Sequence, residues 1–228
     1  MTTKSIYKVG RRFDFLKNLY GSLIVIDGID QSGKKTQATL LARELRRHGL
    51  SCVIWDFPVY KTVLGRRLKA YLKGEERSDL HVIHLLYAAN KWEVAAKINE
   101  QRAQGSIVIA NRYTPSNLAY GSAHDLALEW LKTLEADLPR PTHIFILDVP
   151  VKTSFGRKIK HRDVHEEDAA YLDRVRRIYL GLAKQYKWTV VNAEAKPAVV
   201  HSRIWYSMMK SLERKHSRVK RDQFKSMF

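Results

Sequence analysis

The feature that most constrains this chain is a glycine-rich loop set between an apolar run and an amphipathic segment. Residues 23–26 (LIVI) predict a buried strand, and residues 37–48 predict a helix. The loop between them, GIDQSGKKT, occupies residues 28–36. Such a loop is typical of phosphate binding, because glycines let backbone N–H groups close around a phosphate and the next helix directs its positive dipole end at it. We therefore predict a phosphate-binding loop (P-loop) at residues 28–36.

The P-loop departs at one position from the common pattern G-x-x-x-x-G-K-[ST]. Lys34 supplies the mobile cation of that pattern, but Lys35 stands where a magnesium-binding hydroxyl is expected, and Thr36 follows one residue late. Two lysines at a helix N-terminus oppose the helix dipole by about 0.3–1 kcal/mol each, and a bound polyphosphate turns that penalty into attraction. The residues that we expect to bind the nucleotide phosphates are Gly28, Gln31, Ser32, Gly33, Lys34, Lys35 and Thr36.

Positive charge is concentrated at the two ends of the chain. The net charge of +18 includes +4 in residues 1–20 and +5 in residues 210–228. We interpret these segments as a basic N-terminal extension and a basic C-terminal tail around one P-loop domain at 21–209, a natural size for a single α/β domain. A positive domain suits polyanionic substrates. The tails could bind nucleic acid, but we favour solvated ends.

Cysteine content and apolar runs bear on the compartment. The single cysteine, Cys52, excludes an internal disulfide and fits a reducing compartment. No apolar run approaches the roughly 20 residues of a membrane span. We expect a cytoplasmic protein without membrane association. Mitochondrial targeting is a minor alternative, because the N-terminal segment is basic and poor in acidic residues.

Apolar β-rich runs alternate with helical patterns along the chain, which predicts a doubly wound α/β fold. Strands that read as continuous apolar runs suit a parallel sheet covered on both faces. The prediction is a three-layer fold of the P-loop NTPase type, with a central five-stranded parallel sheet, helices on both faces and a short lid. The predicted strands are 22–27, 51–56, 106–110, 143–148 and 187–192.

Three further motifs surround the P-loop in the sequence. FPVYKT begins at Phe57 after the second predicted strand, YAANKWE begins at Tyr87 inside a long predicted helix, and NRYTPSN begins at Asn111 after the third strand. In this order and spacing the motifs resemble those of thymidylate kinases, over about residues 21–195. The resemblance implies a nucleoside monophosphate kinase that transfers the γ-phosphoryl group of ATP, bound with Mg²⁺, to dTMP for dTTP synthesis. It also implies a homodimer formed through helices of the region 62–104.

The resemblance assigns the catalytic charges to four residues. Lys34 would hold the ATP phosphates, and Arg112 would bind the acceptor phosphate, a task that suits a planar bidentate donor. Some thymidylate kinases carry a catalytic arginine in the P-loop, where this chain has Gln31; others carry it in the lid. The charged stretch at about 157–166 resembles that lid, so we assign the neutralisation of the transferred group to Arg157 and Arg162.

The resemblance also assigns the acceptor site. Asp30 would bind the 3′-hydroxyl, Tyr87 would stack on the thymine, and Tyr120 would crowd the 2′ position and favour deoxyribose. Lys91 occupies the place of a family arginine that bonds the base edge. The remaining substrate-binding residues implied are Phe57, Pro58, Arg66 and Ser116.

Protein ligands for the magnesium ion stay open at this point. Asn111 replaces a carboxylate of the family pattern, Asp27 could hold a metal-bound water, and Lys35 could replace part of the metal's electrostatic role. Two alternative functions also stay open. One is a kinase for another (deoxy)nucleotide, and the other is a weakened nucleotide-binding protein whose basic tails bind nucleic acid.

Overall fold

The computed structural model describes residues 14–157 and 168–225, with side chains from 16 to 157 and from 168 to 214. Five parallel strands form one sheet in the order β2-β3-β1-β4-β5. The predicted five-stranded parallel sheet is confirmed. The strands are β1 Leu23–Asp27, β2 Cys52–Asp56, β3 Ile107–Asn111, β4 His143–Asp148 and β5 Thr189–Asn192.

Helices connect the strands and cover both faces of the sheet. A 3₁₀ helix, Asp14–Leu19, precedes β1. The α-helices are α1 Lys34–Arg47, α2 Val63–Leu72, α3 Leu80–Ala103, α4 Thr114–Ala123, α5 Leu128–Leu134, α6 Val151–Arg157, α7 Ala169–Tyr186 and α8 Pro197–Lys225.

The central strand β1 shows why the sheet needs two covering layers. All five of its residues are buried. Because successive side chains of a strand point to opposite faces, Leu23 and Val25 belong to a core cluster with Val94 of α3, whereas Ile24 and Ile26 belong to the larger cluster on the other face. The carboxyl end of β1, where the P-loop begins, is thereby fixed from both sides.

Both terminal segments take part in the packed structure. Leu16 and Leu19 of the 3₁₀ helix are buried in the larger core cluster. Helix α8 runs to Lys225, beyond the predicted helix end near 214, and its buried residues recur every four positions at Val200, Ile204, Met208 and Leu212. The division of the chain into extension, domain and tail stays a prediction. Most of the predicted lid, residues 158–166 with Arg162, lies outside the described residues.

In the part of the chain that the structure describes, no helix is long and apolar enough to cross a membrane.

Candidate active site

The P-loop wraps from the end of β1 to the start of α1, and two of its glycines are required by geometry. Gly28 has a φ of 138°, and a Cβ there would lie 2.5 Å from the carbonyl oxygen of Leu147 in β4. Gly33 takes a left-handed conformation, with a φ of 95°, directly before α1. Any other residue at Gly28 would push the loop away from the sheet.

The lysine of the P-loop lies inside the loop. The Lys34 side chain is 7% exposed, and its Nζ donates a hydrogen bond of 2.7 Å to the carbonyl oxygen of Ile29. The hydroxyl oxygen of Ser32 is also buried, and within the described residues it has no hydrogen-bond partner. Lys35 and Thr36, by contrast, are exposed on the first turn of α1. The loop thus presents one enclosed cation, one unused hydroxyl and a helix N-terminus, which together suit a phosphate group.

Asp30, Arg112 and Tyr120 form the charged centre of the site. Arg112 makes a close ion pair with Asp30, and Tyr120 donates a hydrogen bond of 2.6 Å to the other oxygen of that carboxylate. The guanidinium also donates to Ser116 at 3.1 Å and lies 5.3 Å from the centre of the Tyr120 ring. Burial alone would raise the pKa of Asp30, but the charges of Arg112 and Lys34 and the Tyr120 hydroxyl hold it well below its usual range.

Asp27, at the end of β1, holds the backbone that directly follows Arg112 by accepting hydrogen bonds from it. Arg112 has a φ of 62°, which is uncommon for a residue with a side chain. The carboxylate of Asp27 is fully buried. Its two oxygens accept hydrogen bonds from the backbone N–H groups of Gly28, Tyr113 and Ser116 and from the hydroxyls of Ser116 and Tyr179. Both oxygens are therefore used within the protein, and the expectation that Asp27 holds a metal-bound water is not supported.

A pocket opens beside this centre, between the end of β2, α3 and α4. It brings together Asp30, Arg112 and most of the other side chains that the resemblance assigned to the acceptor. Arg66 is the exception: it does not line the pocket, and its guanidinium donates to the carbonyl oxygen of Lys61 at 3.1 Å on the surface. The predicted residues that line the pocket are Asp30, Phe57, Pro58, Tyr87, Lys91, Arg112, Ser116 and Tyr120.

Asn90 builds one wall of this pocket, a role that the sequence did not indicate. Its side-chain oxygen accepts from the N–H of Val59 at 2.7 Å. Its amide nitrogen donates to the carbonyl oxygen of Val59 at 3.3 Å and to the hydroxyl of Thr62 at 2.9 Å. These bonds hold the loop that carries Phe57 and Pro58 against α3. The available signal was its place next to Lys91 inside the motif YAANKWE.

Lys91 reaches the pocket as half of a buried ion pair. Its Nζ donates to Glu135 Oε1 at 2.6 Å and to the carbonyl oxygen of Tyr87 at 3.1 Å. The side chains of Lys91 and Glu135 are 4% and 3% exposed. Burial raises the pKa of Glu135, opposed by the Lys91 charge and by the amide of Asn117. Glu135 is a second residue that the sequence did not indicate.

Comparison with known proteins decides the family. A sequence model of the family described as thymidylate kinase matches residues 26–204. This chain belongs to the thymidylate kinase family. A thymidylate kinase of Arabidopsis thaliana is 33% identical over 184 residues, covering 81% of this chain and 69% of that protein. A thymidylate kinase of Schizosaccharomyces pombe is 32% identical over 189 residues, covering 81% of this chain and 90% of that one.

A solved thymidylate kinase confirms the fold. The thymidylate kinase of Candida albicans superimposes with a TM-score of 0.77 at 25% identity, covering 84% of this chain and 92% of that chain. That protein is described as having broad substrate specificity. The α/β P-loop fold and the family inferred from the motifs are thus both confirmed, and a role outside this family of kinases is not favoured.

The described edge of the predicted lid contacts the P-loop. Arg157, the last residue of α6, donates hydrogen bonds to the carbonyl oxygens of Gln31 at 3.0 Å and Ala193 at 2.9 Å. Ser154 of the same helix donates to the carbonyl oxygen of Asp30 at 2.7 Å. Helix α6 is therefore held on the P-loop, and Arg157 lies next to Gln31, the position at which the resemblance implies a catalytic arginine in some thymidylate kinases.

The described residues show no cluster of the usual metal-binding side chains. No group of three or more potential metal ligands of the His, Cys, Asp and Glu types occurs within 14–157 and 168–225. Asn111 donates from its amide nitrogen to Asp56 at 2.8 Å. Both carboxylate oxygens of Asp27 already accept hydrogen bonds from the protein. Magnesium is often held mainly by substrate phosphates and water. The arrangement suits a magnesium ion that arrives with ATP.

Proposed function

We propose that this protein transfers the γ-phosphoryl group of ATP, bound with magnesium, to the 5′-phosphate of dTMP, giving dTDP and ADP. The observation that carries the proposal is the Asp30–Arg112–Tyr120 centre, which joins the P-loop to the pocket. A donor phosphate on the P-loop and an acceptor nucleotide in the pocket would meet at that centre. Family membership supports the same reaction.

The chemistry needs alignment and charge neutralisation rather than a covalent intermediate. Lys34, enclosed in the P-loop, would neutralise the donor phosphates. Arg112 would hold the acceptor phosphate, because it stands at the junction and a guanidinium has five N–H donors, enough for Asp30 and a phosphate together. Preorganised cations of this kind stabilise the charge that develops in the transition state.

The pocket would bind the nucleoside of dTMP. Phe57 and Pro58 would wall the base, and Tyr87 would stack on it. Asp30 would accept from the 3′-hydroxyl, and Tyr120, fixed by its bond to Asp30, would exclude a 2′-hydroxyl. Lys91 would donate to O4 of the base. An alternative (deoxy)nucleotide acceptor is kept because the Candida albicans relative is described as broad in specificity.

A homodimer and a cytoplasmic location belong to the same proposal. The helices of the region 62–104 expose apolar side chains that suit a contact with a second copy of this chain. The most exposed of them are Val63, Val82, Leu85 and Trp92. The single cysteine fits a reducing compartment.

We expect replacement of Lys35 to lower activity at every magnesium concentration. Lys35 is exposed on the first turn of α1, where its charge faces a bound triphosphate. Lys35→Ser would restore the usual hydroxyl but remove that charge. The measurement is the rate of ATP turnover by the unmutated protein and by Lys35→Ser over a series of magnesium concentrations. Higher activity of Lys35→Ser at low magnesium would show instead that the lysine merely occupies a lost ligand position.

We expect Arg157→Ala and Arg162→Ala each to reduce kcat more than they raise KM for dTMP. A group that neutralises charge mainly in the transition state produces that pattern. Steady-state kinetics with varied dTMP measure it, and Arg177→Ala is the control, because the Arg177 side chain is 71% exposed in a surface pair with Asp173. If both lid variants change only KM, the lid arginines bind ground-state nucleotide and do not stabilise the transition state.

Incubation with ATP labelled in its γ-phosphate tests the proposed reaction. Label should appear in dTDP in proportion to the ADP formed. ADP formed without labelled dTDP would show that water is the acceptor, and the proposal would be wrong.

A further inference from the structure

A buried polar network lies at the base end of the pocket. It consists of His84, Lys91, Asn117 and Glu135, which are 1%, 4%, 2% and 6% exposed. Three of them line the pocket, whereas Glu135 lies behind Lys91 and does not. Buried polar groups are costly unless they are paired, so the way in which these four are paired determines what they can offer a ligand.

The amide of Asn117 has a fixed orientation. Its nitrogen donates to the backbone carbonyl oxygen of His84 at 3.2 Å, and a carbonyl can only accept. Its oxygen must therefore face the ring nitrogen Nδ1 of His84, at 2.7 Å, and that nitrogen must carry the hydrogen. The oxygen of Asn117 is thus already occupied as an acceptor by His84.

Lys91 has one N–H group left for a ligand. An ammonium has three donors and no acceptor. Glu135 Oε1 takes one N–H at 2.6 Å and the carbonyl oxygen of Tyr87 takes another at 3.1 Å; no further bond to the ammonium is found within the described residues. Because Lys91 lines the pocket, the remaining N–H is the polar group that this wall can present to a base.

We propose that Glu135 is a positioning residue that selects the acceptor base by holding the Lys91 ammonium at the wall of the pocket. The wall then offers a hydrogen-bond donor to a carbonyl oxygen, as in a 4-oxo pyrimidine, and opposes an exocyclic amine at the same place. This inference rests on the proposed function, because it needs a nucleotide base in the pocket. In this proposal Glu135 acts through Lys91 and does not touch the substrate, because it does not line the pocket.

To position Lys91 in this way, Glu135 must carry its negative charge. A lysine buried without a partner tends to lose its proton or to turn toward solvent. In either case its N–H would no longer be fixed at the base edge. The distinction between a carbonyl and an amine would weaken, while the P-loop and the Asp30–Arg112–Tyr120 centre would be untouched.

Glu135→Gln is the direct test, because glutamine keeps the size of the side chain and removes its charge. We expect the ratio of kcat/KM for dTMP over dCMP to fall on the order of tenfold, the size of one hydrogen bond to a charged group. The change should lie in KM for dTMP, with KM for ATP unaltered. Glu129→Gln is the matched control: Glu129 lies on α5, its side chain is 81% exposed, and its partner Lys132 is 2.9 Å away.

Two further variants separate positioning from folding. Lys91→Arg combined with Glu135→Asp restores a charged pair and should recover the ratio. Lys91→Met combined with Glu135→Leu removes both charges, which a folded core tolerates better than the loss of one. This double variant should bind dTMP and dCMP with similar affinity by calorimetry, even if Glu135→Gln fails to fold.

The inference is overturned if Glu135→Gln lowers the melting temperature but leaves the dTMP to dCMP ratio unchanged, because the ion pair is then only structural. It is also overturned if the unmutated protein binds the two nucleotides equally. Failure of the proposed function is a separate result: the unmutated protein would form no dTDP. The calorimetric ratio of dTMP to dCMP binding would then still decide the role of Glu135.

Discussion

Lys34→Ala is expected to lower kcat by about 100-fold or more while the protein stays folded. Loss of one preorganised electrostatic donor has an effect of this size in other enzymes. The Lys34 ammonium lies inside the P-loop, 2.7 Å from the carbonyl oxygen of Ile29, at the N-terminus of α1. Nothing else in the described part of the loop places a side-chain cation there except the exposed Lys35. Steady-state ADP formation with saturating dTMP measures the loss.

Lys73→Ala is the control for this experiment. Lys73 lies in the connection between α2 and α3. It pairs with Glu75 at 3.1 Å on the surface, and its side chain is 55% exposed. It should retain full activity. If Lys34→Ala also retains nearly full activity with an unchanged melting temperature, the P-loop has no part in the reaction.

Arg112→Ala should lower kcat/KM for dTMP by about 1,000-fold. The substitution removes the acceptor-phosphate donor and also leaves Asp30 without its ion-pair partner in a site where the two side chains are only 14% and 18% exposed. Loss of one preorganised donor to a developing negative charge costs about 100- to 1,000-fold in other enzymes, and the loss of acceptor-phosphate binding adds to it. Arg112→Lys keeps the charge but loses the planar fork, so it should recover only part of the activity.

Two comparisons distinguish catalysis from stability in this case. Arg174→Ala breaks an arginine–aspartate pair with Asp125 on the surface, where the side chains are 44% and 77% exposed, and it should leave kcat/KM unchanged. Activity of Arg112→Ala measured well below its melting temperature isolates the catalytic loss. If Arg112→Ala has nearly full activity at such a temperature, Arg112 only stabilises the fold.

The sequence predicted those parts of the fold and site that depend on patterns of neighbouring residues. Glycines at both ends of a loop between strand and helix predict the P-loop, because backbone closure around a phosphate requires them locally. The run at residues 107–110 predicts a strand buried on both faces, and β3 is fully buried there. Such features depend on neighbours within a few positions of the chain.

The roles of Asp27 and Glu135 could not be predicted in this way. Tyr179 bonds Asp27 across 152 positions of sequence, and Glu135 pairs with Lys91 across 44. No periodicity or motif records which distant side chains the fold brings together. The family resemblance therefore implied that Lys91 would face the base, but not that Glu135 would accept one of its N–H groups.

We expect this site to phosphorylate dTMP in preference to other nucleoside monophosphates. The most direct measurement is kcat/KM for ADP release with dTMP, dUMP, UMP, dCMP and AMP as acceptors at saturating ATP. We expect the highest kcat/KM for dTMP and a value for dUMP that is lower by about 10–200-fold, because a methyl in an apolar pocket contributes no more than that. The values for UMP and AMP should be lower still. Equal kcat/KM for dTMP and AMP would contradict the thymidylate assignment.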